Sequence, residues 1–301
     1  MRKFLLAPFI MALILFLAAC GGSDEANGDE GNDDDSGDKS LLEELQEKGT
    51  VKIGFANEEP YGYQNEDGEI TGASVDTAKA VFKELGIDEV EGHLTDYDQL
   101  VSGLAAKKFD AITSGMAITP DRCENVAFAE PDMKYGEGFI VQEGNPLDLH
   151  SYTDIADNPD VTVSVMSGAT EIEFLKSEGV DESQIQTAPD IPATFSAVES
   201  ERADVTTGTE MTVKMALESA DTDALEFVED FEQPDIIGVP SYGSVAFHPD
   251  HQELLDAFNE KLQELKDDGT VAEILEKNGF HPENNFPDED VTAEMVCNGE
   301  V

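Results

Sequence analysis

"VKIGFANEEPYGYQNEDGEITGASVDTAKAVFKELG", residues 51 to 86, decides the fold class. Val51, Ile53 and Phe55 alternate with Lys52 and Gly54, the period of a β-strand. From Ala73 the period changes. Val75, Ala78, Val81, Phe82 and Leu85 fall on one helical face, and Gly86 stands where a helix is closed. Strand, polar exit and helix are the first half of a βαβ unit. The exit carries Glu58, Glu59, Tyr61 and Tyr63, two carboxylates and two rings where a core strand stops.

The same alternation continues outward from this stretch. "SLLEELQEKG" ahead of it reads as a helix ending at Gly49. After it, "VEGHL" is a strand, "DYDQLVSGLAAKKF" a helix, and "DAITSG" and "GEGFIVQEG" are strands. A second series begins at "DIADNP". "VTVSVMSGATEIEFLKSEG" reads as strand, turn and helix, followed by the strand "IQTAP", the helix "DIPATFSAVESERA" and the strand, turn and helix of "DVTTGTEMTVKMALES". "SYGSVAFHPDH" returns as a strand before two C-terminal helices in 252–280. This order predicts two α/β lobes with helices on both sheet faces. Gly-rich runs near 140–146 and 238–244 predict that the chain crosses between lobes twice. The expected first lobe is 41–142 with 243–301, and the second is 143–242.

The first twenty residues, "MRKFLLAPFIMALILFLAAC", have the basic start, apolar run and small-residue end of a signal peptide, assigned to 1–19. "LAAC" followed by Gly21 resembles a bacterial lipobox, which implies cleavage before Cys20 and a lipid on its thiol. Residues 20–40 are rich in Gly, Ser and Asp and read as an acidic flexible tether. With 67 acidic and 17 basic residues the formal charge is −50. Nucleic acid and anionic membrane surfaces demand positive patches and are excluded as partners, leaving a lipid anchor as the membrane contact. Adaptation to a salty exterior accounts for such a surface, and a plain acidic extracellular protein is the alternative. If Cys20 carries lipid, Cys123 and Cys297 remain as an even pair in an oxidising compartment, and a disulfide between them is expected. No zinc-type spacing is present, and no cofactor is expected.

Several stretches together carry a family resemblance. They are "VKIGFANEEPY", "DGEITGASVDTAKAVFKELG", "LVSGLAAKKFDAITSGMAITPDRCENVAFAEP", "SYTDIADNP" and "LQELKDDGTVAEILEKNGF". From about residue 41 to 300 the chain resembles the solute-binding proteins of ABC importers, of the polar-amino-acid type. "ANEEPY", "EGNPL" and a cysteine near the C-terminus resemble the branch that binds ectoine and hydroxyectoine. The resemblance implies a periplasmic-binding-protein-like type II fold, a ligand cleft between the lobes and a two-strand hinge. It implies a monomeric, lipid-anchored extracellular receptor that hands a small zwitterion to an ABC permease. A polar amino acid or a betaine-type solute is the alternative ligand, and an exported dehydratase-like enzyme on the same scaffold is the rival class. No assembled nucleophile, base and orienter supports that rival.

In open α/β sheets ligands sit beyond the carboxyl ends of strands, so residues at strand exits are the site candidates. Glu58 faces a cationic group or is one more solvated acid. Tyr61 and Tyr97 offer ring faces to a delocalised cation or pack as core. The resemblance implies a third aromatic where this chain has Ala117, which leaves another ring such as Tyr135 or Tyr242 to substitute, or a site that accepts something bulkier. Arg122, in "TPDRC", suits a bidentate grip on a carboxylate, with a surface ion pair as the alternative. Gly168, Ala169 and Thr170 stand at a helix start where backbone N–H groups and a hydroxyl meet an anion, or where Thr170 simply caps the helix together with Glu173. Amino-acid binders of this family carry an Asp where "DVTTGTE" has Thr209. A primary ammonium loses its partner there unless Glu210 replaces it.

Overall fold

A computed structural model describes residues 39–301. The expected leader, the expected lipidation of Cys20 and the part of the expected tether up to residue 38 lie outside the described residues. No helix among the described residues is long and apolar enough to cross a membrane.

The helix Leu41–Lys48 opens the fold, capped by Ser40 in a reciprocal box with Glu43 and closed by a left-handed Gly49. In the first lobe follow β1 (Thr50–Phe55), the small hairpin of β2 (Tyr63–Gln64) and β3 (Ile70–Thr71), β4 (Glu89–Leu94), β5 (Ala111–Ala117), β6 (Ala127–Phe128) and β7 (Met133–Tyr135). The second lobe holds β8 (Glu137–Gln142), β9 (Val163–Met166), β10 (Ile185–Ala188), β11 (Val205–Thr209) and β12 (Leu225–Phe227). β13 (Ser241–Phe247) then returns to the first sheet, whose order is β4-β1-β5-β13-β6 with β7 also on β13. The second sheet runs β10-β9-β11-β8-β12.

Within each sheet the strands joined by helices are parallel, as right-handed crossovers require, and the crossing strands β8 and β13 are antiparallel to their neighbours. β5 and β13 are buried along their whole length because helices cover both faces. On one face the helix Ala73–Glu84 inserts Val75, Ala78, Val81 and Phe82, and Phe82 meets Phe247 and Phe258 edge to face. On the other, Leu100, Leu104, Phe109 and Val296 form a separate core. Apolar burial of this extent, at ~25 cal/mol per Å², is what holds each lobe.

The lobe boundary differs from the expectation. Residues 137–142, expected in the first lobe, form β8 and pair with β11 and β12 in the second sheet. Residues 241–242, expected in the second lobe, begin β13. The first crossing is the single residue Gly136 between β7 and β8, and the return runs between β12 and β13. The Gly-rich run "QEGNP" makes a turn at the far end of β8 instead, with the Asn145 N–H donating to the Gln142 carbonyl. The disulfide Cys123–Cys297 is present, with a Cα–Cα distance of 5.8 Å.

Candidate ligand-binding site

The exit of β1 folds into a tight turn. Glu58 N–H donates to the Gly62 carbonyl, and the Tyr61 and Gly62 N–H groups donate to the Glu58 carbonyl, each at 2.9 Å. The turn points Glu58 and Tyr61 inward and leaves Glu59 and Tyr63 outside the cleft. Tyr61 can lie against β5 only because Gly115 has no side chain: a Cβ there would stand 2.3 Å from the Tyr61 ring, and its φ of +56° also suits glycine. The Gly115 carbonyl accepts from the Tyr135 hydroxyl at 2.6 Å, and the Tyr61 and Tyr135 rings meet edge to face at 5.2 Å. Tyr135, not Tyr242, therefore joins the aromatic wall beside Ala117. Tyr242 packs instead with Leu100, Phe109 and Val296, and its hydroxyl donates to the half-exposed Asp288.

Arg122 sits in the four-residue helix Pro120–Cys123, capped by Thr119. Its Nη1 donates to the Ala117 carbonyl at 2.8 Å, and its Nη2 reaches across to the Gly168 carbonyl of the second lobe at 3.0 Å. The guanidinium carbon lies 5.6 Å from the Tyr97 ring centre. Among the described residues Arg122 makes no ion pair, which removes the surface salt bridge as its explanation. Gly168 is required for this approach, since its Cβ would press on Asp98 backbone at 3.0 Å and its φ is +81°.

Glu58, Tyr61, Tyr97, Ala117, Ala169, Thr170 and Thr209 line one small cavity of about 20 Å³, together with Ser114, Gly115, Tyr135, Met166 and Glu171. Arg122 and Gly168 do not line it, but Arg122 is bonded to the carbonyl of Ala117, which does, and Gly168 precedes Ala169. A hydroxyl relay crosses between the lobes: Tyr61 donates to Thr209 at 3.2 Å, Thr209 to Thr212 at 3.0 Å, and Thr212 to Glu58 at 2.8 Å. Thr209, where the family's amino-acid binders carry an Asp, thus serves as a link in that relay. Glu210, the alternative, turns away to Lys214 at 2.7 Å. Thr170 makes no side-chain cap bond, so the capping role considered for it with Glu173 is not formed.

The electrostatics add two residues that sequence reasoning did not back. Glu137 and Glu171 are 1 % and 3 % exposed. Burial holds Glu137 well above the usual carboxylate range, and the Glu171 carboxylate beside it pushes it further. Glu171 is also raised by burial, but its own backbone N–H, Glu137 and Arg122 pull it back. Buried side by side, the two do not both ionise, so the pair carries one proton between them. Burial pushes Glu58 up to about 7, against the pull of the Thr212 hydroxyl. The Ser114 hydroxyl, 2 % exposed, has no hydrogen-bond partner among the described residues. "SGATE" ends in Glu171, so a helix start facing the cleft was the available signal for it. Glu137 had none.

Two α/β lobes crossed twice by the chain, with rings, one guanidinium and buried acids enclosed between them, define a solute receptor of the type II periplasmic-binding fold. The chain belongs to the bacterial extracellular solute-binding proteins, family 3, which match residues 51–281. It is 34% identical over 260 residues to a probable amino-acid ABC transporter periplasmic-binding protein, y4tE, of Sinorhizobium fredii, covering 85% of each chain. The crystal structure of EhuB in complex with hydroxyectoine superposes with a TM-score of 0.78 at 33% identity, covering 85% of this chain and 97% of that one. An ancestral arginine-binding protein bound to arginine gives a TM-score of 0.67 at 27% identity, covering 77% and 98%.

Proposed function

We propose that this solute-binding protein of an amino-acid-type ABC importer captures a zwitterionic compatible solute, ectoine or hydroxyectoine, and delivers it to the permease. It is a binding protein, not an enzyme, as its relatives are named. Arg122 carries the reading: a guanidinium in the cleft, free of any ion pair among the described residues, next to Tyr97 and facing a wall of rings. A solute carboxylate takes the guanidinium, and a delocalised ring cation lies among Tyr61, Tyr97 and Tyr135 with Glu58 as counter-charge. Thr209 supports this choice, because a hydroxyl there cannot balance a primary ammonium. Gly168, Ala169 and Thr170 supply the opposite wall to the carboxylate. A lipid on Cys20 would hold the receptor outside the cell, and the acidic surface suits a saline exterior.

Titration calorimetry of the exported protein with ectoine, hydroxyectoine, glycine betaine, glutamine, cystine and arginine tests the reading. The ectoines are expected to bind most tightly. If a simple amino acid binds far more tightly than every osmolyte, the ligand assignment is wrong and the receptor class stands.

A further inference from the structure

We infer that the solute's cation is held by two carboxylates, Glu58 from the first lobe and Glu171 from the second, so the site selects a delocalised cation with at least two N–H donors. The inference rests on the receptor reading above and narrows its ligand class to amidinium- or guanidinium-like cations, against quaternary ammonium solutes.

The observation behind it is a charge mismatch in the cleft. Among the described residues no cationic side chain lines the cavity; Arg122, bonded to Ala117 beside it, is the nearest cation by that contact, and a solute carboxylate would neutralise it. Glu58 and Glu171 both line the cavity, from opposite lobes, and both are nearly sealed from water. A buried carboxylate is stable only if paired or hydrogen-bonded. Glu58 accepts a single hydroxyl bond, from Thr212. Neither carboxyl oxygen of Glu137, beside Glu171, has a hydrogen-bond partner among the described residues, and two buried carboxyl groups side by side do not both ionise. The pair thus presents one negative charge to the cavity, with Glu137 in a positioning role.

A single point cation cannot satisfy two acids on opposite walls. A planar cation with N–H groups on two sides can donate to both, and in doing so would draw the lobes together. A trimethylammonium offers rings a cation but offers the carboxylates no donor. The unpartnered Ser114 hydroxyl on the same cavity wall is a further polar group waiting for a ligand.

The experiment titrates ectoine, arginine and glycine betaine into the wild type and into Glu171→Gln, Glu171→Asp, Glu137→Gln and Glu137→Met, with melting curves to confirm folding. Glu171→Gln should weaken the N–H-bearing solute about 100-fold, as loss of a buried charge partner does, and Glu171→Asp should recover part of it. Glu137→Gln, whose amide can still donate to Glu171, should stay within about threefold of wild type, whereas Glu137→Met, which cannot donate, should lose affinity at similar melting temperature. Tighter wild-type binding of glycine betaine than of ectoine and arginine, or a silent Glu171→Gln, overturns the two-carboxylate clamp. If ectoine fails and arginine binds, the proposed solute is wrong, and the clamp is judged on arginine with the same variants. Binding of none of the three overturns both.

Discussion

Arg122 shows how far a single residue can be read. Arginine stands at only three positions of this acid-rich chain, 2, 122 and 202, and the place of Arg122 after a strand exit pointed to ligand contact. The structure adds that its two forks already hold carbonyls on both lobes. Replacing it with alanine should therefore cost both a solute carboxylate partner and a contact between lobes, weakening binding by about 2–5 kcal/mol. Lysine should recover only part, since a point charge cannot make two directed bonds. Calorimetry on both variants decides this, and unchanged affinity in each would remove Arg122 from the site. Tyr61 and Glu58 were legible for the same reason, a polar and aromatic cluster where a strand ends. Glu137 was not. In sequence it is one polar residue opening an apolar strand, "EGFIV", and only the pairing of β8 with β11 brings it behind Glu171. Long-range pairing of this kind leaves no local period.

At the level of elements, the order of the longer strands and helices was legible because their periods are strong, whereas β2, β3, β6, β7, β12 and the helices Pro120–Cys123 and Ala293–Cys297 are too short to show one. The first lobe crossing was misplaced because glycine marks turns as readily as hinges, while the second, near 238–244, falls where β13 begins. The helix Pro120–Cys123 illustrates what order alone does not show. A single turn is too short to be stable by itself, yet it must hold Arg122 in place. Its last residue is bonded to Cys297 across a sequence separation of 174, and the tail helix Ala293–Cys297 packs beside it in the same core. On the chain-entropy view a loop of that size contributes about 5 kcal/mol, with measured values often lower. Paired Cys123→Ser and Cys297→Ser replacement should lower the melting temperature. It should also weaken solute binding more than a bridge elsewhere would, because Arg122 is the neighbouring residue. Equal affinity in the bridged and unbridged proteins would show that the turn is held by its other contacts.

The whole molecule is tuned by its buried acids. Burial raises both Glu58 and Asp132 to about 7, while in an unfolded chain they titrate near 4. Between those values the folded state holds more protons than the unfolded state, so stability falls as pH rises. These groups contribute most below about pH 4, and their contribution is gone above about pH 7. Glu137 and Glu171, also raised, act in the same direction. The solute-free protein should lose roughly 5–10 °C in melting temperature between pH 5 and pH 8. A cationic solute needs Glu58 ionised, so its affinity should rise over the same range. The melting shift produced by ligand is therefore expected to grow with pH, and a shift that shrinks would reverse the assignment of Glu58. The relay from Tyr61 through Thr209 and Thr212 to Glu58, with the Arg122–Gly168 bond beside it, has a consequence for timing. These bonds occupy the groups a solute needs, and the cavity they leave has room for about one water molecule. Entry is then a replacement of partners that begins with the lobes parting, so the rate of capture should level off at high solute concentration. A stopped-flow rate that climbs without limit would mean the lobes stand apart in solution. Thr212, whose hydroxyl joins Thr209 to Glu58 and does not line the solute cavity, becomes the latch that sets the pace.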